Sequence, residues 1–254
     1  MILHRKHFPI IFAFIISLTA CKIPTSNNID WQIQYLGEID LSLDVDVYNL
    51  DLVEITPAEI ANLHERGIYV MCYFSAGSWE DWRSDAHLFP EIIIGNDYEG
   101  WPGEKWLDVR NIDALTPIMD SRIRMAAEKG CDGVDPDNVD GYTNETGFPL
   151  TYADQLTYNK WLAQTAHTYD LEIGLKNDMY QVNDLLPYFD WALNEECFTY
   201  NRCELLTPFI EAGKSVFVIE YETKPADFCP QAKALGINAI YKNWDLDVYR
   251  KTCR

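Results

Sequence analysis

Two short stretches carry the residue types best suited to chemistry. Gly130–Tyr142 reads GCDGVDPDNVDGY and sets Asp132, Asp135, Asp137, Asn138 and Asp140 among Val134, Pro136 and Val139. Valines that alternate with acids suit a buried strand running out into a polar cleft, not a solvated loop. Further on, Trp191–Glu195 (WALNE) also ends in carboxylates, Glu195 and then Glu196. Two carboxyl groups across one cleft can divide acid from base or nucleophile, because the drier, like-charged one keeps its proton. That division is what glycosidic bond cleavage needs. The best pair is Asp137 with Glu195, and a one-residue shift would put Asp135 or Glu196 in either place. Alternation sends Asp135 and Asp137 to one face and Val134 and Asn138 to the other. The competing structural reading is that one acid only orients a lysine such as Lys176.

Other chemistries find less support. His64, His87 and His167 fall in helices or a long loop, none at ligand spacing from a carboxylate, which argues against a metal deacetylase or a Ser/His hydrolase. Ser75-Ala76-Gly77-Ser78 does not match a nucleophile elbow, and no CxxC or Cys/His spacing marks a metal site. No metal or cofactor is expected.

The elements that must hold these residues alternate in type. Strands are predicted at Trp31–Leu36, Val45–Val53, Ile68–Ser75, from Gly133, at Glu172–Lys176, Trp191–Glu195, Ser215–Glu220 and Asn238–Tyr241. Helices are predicted after Thr56, over Asn111–Lys129, Tyr152–Tyr169, Val182–Tyr188, Leu205–Ala212 and Pro225–Leu235, with a terminal one at Leu246–Thr252. Eight strand starts in one chain of 254 residues favour an α/β fold, a single (β/α)8 TIM barrel, with a degenerate first unit and no Gly-rich phosphate turn. Catalytic residues of a barrel lie at the carboxyl ends of its strands. Those ends supply Asp51, Tyr73, Ser75, Asp135, Asn138, Lys176, Asp178, Glu196, Glu220, Tyr221 and Asn243 as candidate substrate-binding residues. Polar pairs beside aromatics are the lining of a carbohydrate site. The tryptophans of the 76–110 excursion serve either as sugar platforms or as packing.

Composition sets the outer bounds. A hydrophobic share of 48% with 13% aromatics provides a core, and 40 acidic against 20 basic residues give −20. That balance excludes nucleic acid as a partner and favours a cationic or neutral one. His4-Arg5-Lys6 followed by the apolar run Phe8–Leu18 reads as a signal peptide over residues 1–20, too short to span a bilayer. Leu18-Thr19-Ala20-Cys21 looks like a bacterial lipobox, which would leave Cys21 lipidated and residues 21–30 as a tether to a 31–254 barrel domain. The alternative is a plain secretory signal with an incidental cysteine. Lys22 in place of an aspartate fits outer-membrane sorting. Loss of Arg5 and Lys6 would leave 40 acids against 18 bases, or −22. An exported, lipid-anchored monomer is the expectation. Of the six remaining cysteines, Cys197 and Cys203 can staple one loop and Cys229 and Cys253 the last helix pair, leaving Cys72–Cys131 by elimination.

Taken in order, WQIQYLGEIDLSLDVDVYNLDL, CYFSAGSWEDWR, GCDGVDPDNVDGY, GLKND and NEECFTYNRCELL resemble the endo-α-1,4-polygalactosaminidase family, glycoside hydrolase family 114. The likeness covers about residues 31–253. It implies a (β/α)8 barrel that cleaves α-1,4-linked galactosamine polymers, whose deacetylated units are cationic. It also implies catalysis by an aspartate of GVDPDN and a glutamate of NEEC, which are Asp137 and Glu195 here. A surface protein that binds polysaccharide without cutting it, and a glycosidase for another amino-sugar polymer, are the competing readings.

Overall fold

In a computed structural model the chain is described over residues 22–25 and 28–253; the signal segment and Cys21 lie outside the described residues. Eight strands run parallel in chain order around the sheet: β1 (Trp31–Gln34), β2 (Val47–Asp51), β3 (Tyr69–Ser75), β7 (Gly133–Asp137), β8 (Glu172–Lys176), β9 (Trp191–Glu195), β10 (Val216–Glu220) and β11 (Asn238–Lys242). The seam between β11 and β1 is drawn together by Trp31 Nε1 donating to the Asn238 carbonyl at 3.0 Å and Tyr35 N to the Leu246 carbonyl at 3.0 Å. The result is a nearly closed (β/α)8 barrel.

Period-two alternation decides what fills it. Trp31, Ile33, Val47, Tyr69, Met71, Trp191, Leu193, Phe217, Ile219 and Ile240 form one buried cluster inside the barrel. The intervening residues (Tyr48, Leu50, Val70, Cys72, Val134, Ile173, Val216, Val218) join the helices in an outer core. Two inward positions must be glycine. A Cβ on Gly174 would lie 2.0 Å from the Trp191 ring, and one on Gly133 would lie 2.4 Å from the Tyr69 hydroxyl. Small residues on β7 and β8 thus make room for large ones on their neighbours. Above that packed floor the same inward rows continue as Asp135, Asp137, Lys176 and Glu195, so the barrel turns from apolar to charged toward its carboxyl end.

The helices are α1 (Pro57–Glu65), α2 (Ile112–Lys129), α3 (Tyr152–Thr168), α4 (Val182–Leu185), α5 (Thr207–Glu211) and α6 (Pro225–Leu235). Thr56 with Glu59 and Thr151 with Asp154 form complete capping boxes, and Gly130 (φ 93°) ends α2 in the left-handed region. No helix joins β1 to β2. The 76–110 excursion folds into an antiparallel sheet of β4 (Ser78–Glu80), β6 (Glu104–Leu107) and β5 (Ile94–Asp97), in that order, over the barrel mouth. The terminal segment expected as a helix is instead β12 (Arg250–Thr252), antiparallel to β11. It takes the free edge of β11, while Arg250 binds Asp30 and the Trp31 carbonyl and Cys253 is tied to Cys229. Disulfides join Cys72–Cys131, Cys197–Cys203 and Cys229–Cys253. In the segment read as a tether, Ile23 is buried on the barrel floor. Its N–H donates to Glu172 Oε2 at 2.9 Å, and Ser215 Oγ donates to the Pro24 carbonyl at 2.6 Å.

Candidate active site

Three strand ends converge at the mouth. Lys176, at the end of β8 and 1% exposed, donates from Nζ to Asp137 Oδ2 on β7 at 3.0 Å and lies 3.5 Å from Glu195 Oε2 on β9. Each of the three is followed by a residue in left-handed backbone: Asn138 (φ 62°), Asn177 (φ 59°) and Glu196 (φ 64°). Such turns are rare outside glycine, least costly for Asn, and concentrate where a side chain has to be aimed. The turn after Asp137 packs against Gly77, where a Cβ would come within 1.7 Å of the Asn138 carbonyl oxygen.

Both carboxylates are fixed from two sides. Asp137 Oδ1 accepts from the Asn138 N–H at 2.7 Å, and its carbonyl takes the N–H groups of Ala76 and Gly77 at 2.9 and 3.1 Å. Glu195 Oε1 accepts from the Tyr221 hydroxyl, and Oε2 from Asn177 Nδ2 at 3.0 Å. Burial alone would raise the pKa of Glu195. The Lys176 ammonium, with help from Tyr221 and Asn177, overcomes it and holds the group below its ordinary value. Lys176 itself loses hydration on burial, yet its three acids, Asp137, Glu195 and Asp135, push it well above its usual value, so it stays charged. Beneath them Asp135 is fully buried. Asn49 Nδ2 donates to its Oδ2 at 2.8 Å while its Oδ1 has no donor among the described residues, and burial, with Asp137 nearby, raises it to about 6.

Among the other expected residues, Tyr73, Asn138, Lys176 and Tyr221 line a cavity of about 360 Å³ with Asp137 and Glu195. Asp51 lines it too, but its carboxylate is clamped by Arg83 at 3.0 and 2.7 Å. Asp178 and Glu196 line an adjoining space of about 420 Å³ that shares Glu195. Ser75 is buried and faces Asn138 Oδ1, to which it donates at 2.7 Å. Two expected residues point elsewhere. Glu220 follows inward Ile219 and so faces outward, where it accepts from Phe198 N at 2.8 Å and from Thr199. Asn243 bonds Asp247 at 2.9 Å, and its neighbour Trp244 lines the cleft instead. Tyr35, Trp82, Arg83, Tyr98, Trp101 and Glu104 line it as well, with Leu36, Glu80, Asn177, Asp245 and Leu246. The expected strand-end residues do not include them. Tyr35 is stacked on Tyr73 (centroids 4.3 Å apart) just beyond β1, and its place after that strand was the available signal.

A (β/α)8 barrel with two carboxylates bridged by a buried lysine at its carboxyl end, walled by tyrosine and tryptophan, has the architecture of a carbohydrate-cleaving enzyme. Residues 17–254 match the model of glycoside-hydrolase family GH114. The chain belongs to that family and is a glycoside hydrolase. It is similar to Ega3 of Aspergillus fumigatus, whose crystal structure is a complex with galactosamine, at 38% identity over 92% of this chain and 98% of that one, with a TM-score of 0.87. The glycoside hydrolase domain of PelA from Pseudomonas aeruginosa shares the fold at 13% identity over 88% of this chain and 98% of that one, with a TM-score of 0.70. Curated protein sequences contain no significant match.

Proposed function

We propose that the chain hydrolyses α-1,4-linked galactosamine polymer internally, with Asp137 and Glu195 as the catalytic pair and net retention at the anomeric carbon. The observation that carries this is the single Lys176 ammonium held by both acids. Laid end to end, the 3.0 and 3.5 Å contacts limit the two facing oxygens to at most 6.5 Å. Retaining pairs stand about 5–5.5 Å apart and inverting ones about 6.5–9.5 Å, so a shared ammonium sits at the short end. In a retaining cycle one carboxylate attacks the anomeric carbon as the other protonates the leaving oxygen. The second then deprotonates the water that releases the sugar. The arriving polymer supplies ammonium groups, and a chain of formal charge −20 draws them in. Trp82, Trp101 and Trp244, each about half exposed, and Tyr180 and Tyr200 extend the aromatic surface to both sides of Glu195, as a chain threading through would require. Three disulfides fit folding outside a reducing cytosol. The apolar leader and Cys21 extend the proposal to an enzyme anchored at the cell envelope.

The test is product analysis. Soluble enzyme is incubated with deacetylated α-1,4-galactosamine polymer, and the anomer first released is read by proton NMR. Oligomers released early with retained configuration are expected, and Asp137→Asn and Glu195→Gln should each cut the rate at least about 10³-fold. Polymer that binds without yielding new reducing ends would show a binder instead, and monomers alone would refute internal cleavage.

A further inference from the structure

One buried chain of oxygens joins the small antiparallel sheet to the strand that carries Asp137. Glu104 opens β6, Ser78 opens β4, Ser75 ends β3 and Asn138 follows β7. Glu104 Oε1 contacts Ser78 Oγ, Ser78 Oγ contacts Ser75 Oγ, and Ser75 Oγ donates to Asn138 Oδ1 at 2.7 Å. The Ser78 backbone N–H also donates to Ser75 Oγ at 3.1 Å, and Ser78 Oγ lies 3.2 Å from the same amide oxygen. Both serines are 0% exposed, so bulk solvent supplies none of the hydrogens in this chain.

Three consecutive links between oxygens need three hydrogens. Each serine carries one, and an amide oxygen carries none. An ionised Glu104 carries none either, so the Ser75 and Ser78 oxygens would meet with no hydrogen between them, at a cost buried polar groups rarely bear. The count closes when Glu104 holds a proton: it donates to Ser78, Ser78 to Ser75 and Ser75 to Asn138. The Asn138 oxygen then faces the serines. Its Nδ2, with no acceptor among the described residues, is left to the cleft that Asn138 lines. One other arrangement satisfies the chain, and it reverses every bond. Asn138 Nδ2 donates to Ser75, Ser75 to Ser78 and Ser78 to an ionised Glu104, and the amide shows the cleft its oxygen.

We propose that Glu104 is a positioning residue that acts as a carboxylic acid: through Ser78 and Ser75 it keeps the Asn138 nitrogen turned to the cleft, and loss of its proton turns the amide over. The groups that face Glu104 favour the neutral form. Glu80 on β4 and Asp137 on β7 are like charges, and Tyr73 and Tyr98, raised by burial, are neutral phenols. The nearby cations Arg83 and Arg122 are both drawn to Glu80, at 2.9 and 4.0 Å. Burial, with Glu80 and Asp137, raises Glu104 to about 7 against the Arg83 charge, so the proton is exchanged near neutrality. Turned over, the amide sets an acceptor beside Asp137 where two N–H donors stood, and a sugar hydroxyl that accepted there loses its partner. The consequence for rate rests on the proposed catalytic role of Asp137; the turn of the amide does not.

The test follows the amide and the rate separately. In protein labelled with nitrogen-15 at asparagine side chains, the Asn138 signal, assigned with Asn138→Asp, should shift along one titration curve centred near neutral pH. In Glu104→Gln, whose side-chain amide donates at every pH, that curve should vanish. Ser78→Ala keeps the acid but cuts the relay, so Asn138 should again stop titrating while the carbon-13 signal of the Glu104 carboxyl still does. An Asn138 signal that does not move in the native protein, or that titrates alike in either variant, overturns the proposal. For the rate, kcat/KM is measured by reducing-end release at about pH 6 and about pH 8.5. The ratio of the alkaline to the acid value should be about tenfold higher in Glu104→Gln than in the native protein, and equal ratios overturn the positioning role. Should no polymer be cleaved, the hydrolase proposal fails, and the titration still judges the relay.

Discussion

Replacing Lys176 with methionine removes the one charge that both proposed catalytic acids share, at nearly constant volume. The ammonium stands 3.5 Å from Glu195 Oε2. At an effective dielectric near 20, that attraction is worth about 5 kcal/mol. Burial of the lysine and its sharing with Asp137 take back part of it. The sign follows from the charge: without the cation the ionised form of Glu195 loses support, so its pKa rises. Two adjacent carboxyls would then hold a proton between them to higher pH. The acid limb of kcat/KM against pH should move toward alkaline, and activity at pH 5 should fall by at least about tenfold while the alkaline side loses less. The assay is reducing-end release from galactosamine polymer between pH 3.5 and 9, with thermal melts to show that the barrel remains. An acid limb that stays in place would refute the reasoning, since Lys176 would then not set the ionisation of the pair.

Gly77→Ala should lower stability by about 1–3 kcal/mol and reduce kcat more than it raises KM, because a Cβ 1.7 Å from the Asn138 carbonyl must push back the turn that aims Asp137; denaturant melts and steady-state kinetics check both. Removing Cys72–Cys131, which closes 59 residues, should cost roughly 4 kcal/mol, against roughly 2 kcal/mol for Cys197–Cys203 with a separation of 6; urea unfolding of the paired alanine variants gives the order. Asp178 is raised to about 8, chiefly by burial. A raised carboxyl binds its proton more tightly folded than unfolded, so its stabilising share is full below about pH 4 and is lost as pH climbs to about 8. Melting temperature should fall over that window, and Asp178→Asn should flatten the fall.

The barrel was legible because its strands are written as apolar runs or alternations that end in acids, and the acids Asp137 and Glu195 lie on inward rows continuing Gly133 and Leu193. Counting strand ends without following that parity is what misplaced Glu220. It ends β10 as Glu195 ends β9, but the inward row on β10 is Phe217 and Ile219, so the carboxylate faces out and caps two amides. The pairing of Asp51 with Arg83 joins residues 32 positions apart through a small sheet whose strands are only three or four residues long, too short for a periodicity to show. The last strand fails for a similar reason. Arg250–Thr252 has no strand pattern of its own and is extended because an edge, an ion pair and a disulfide hold it there.

The docking of Ile23 and Pro24 gives the molecule a direction. Glu172 opens β8 and Ser215 immediately precedes β10, so the chain leaves the barrel at the end opposite the cleft. If residue 21 carries lipid, only Lys22 separates the anchor from a side chain already buried in the protein. Such an enzyme could not swing on a leash. It would stand on the bilayer with its closed base down and its mouth turned outward, working on polymer that comes to the envelope from outside and sparing glycans lying flat against the lipid.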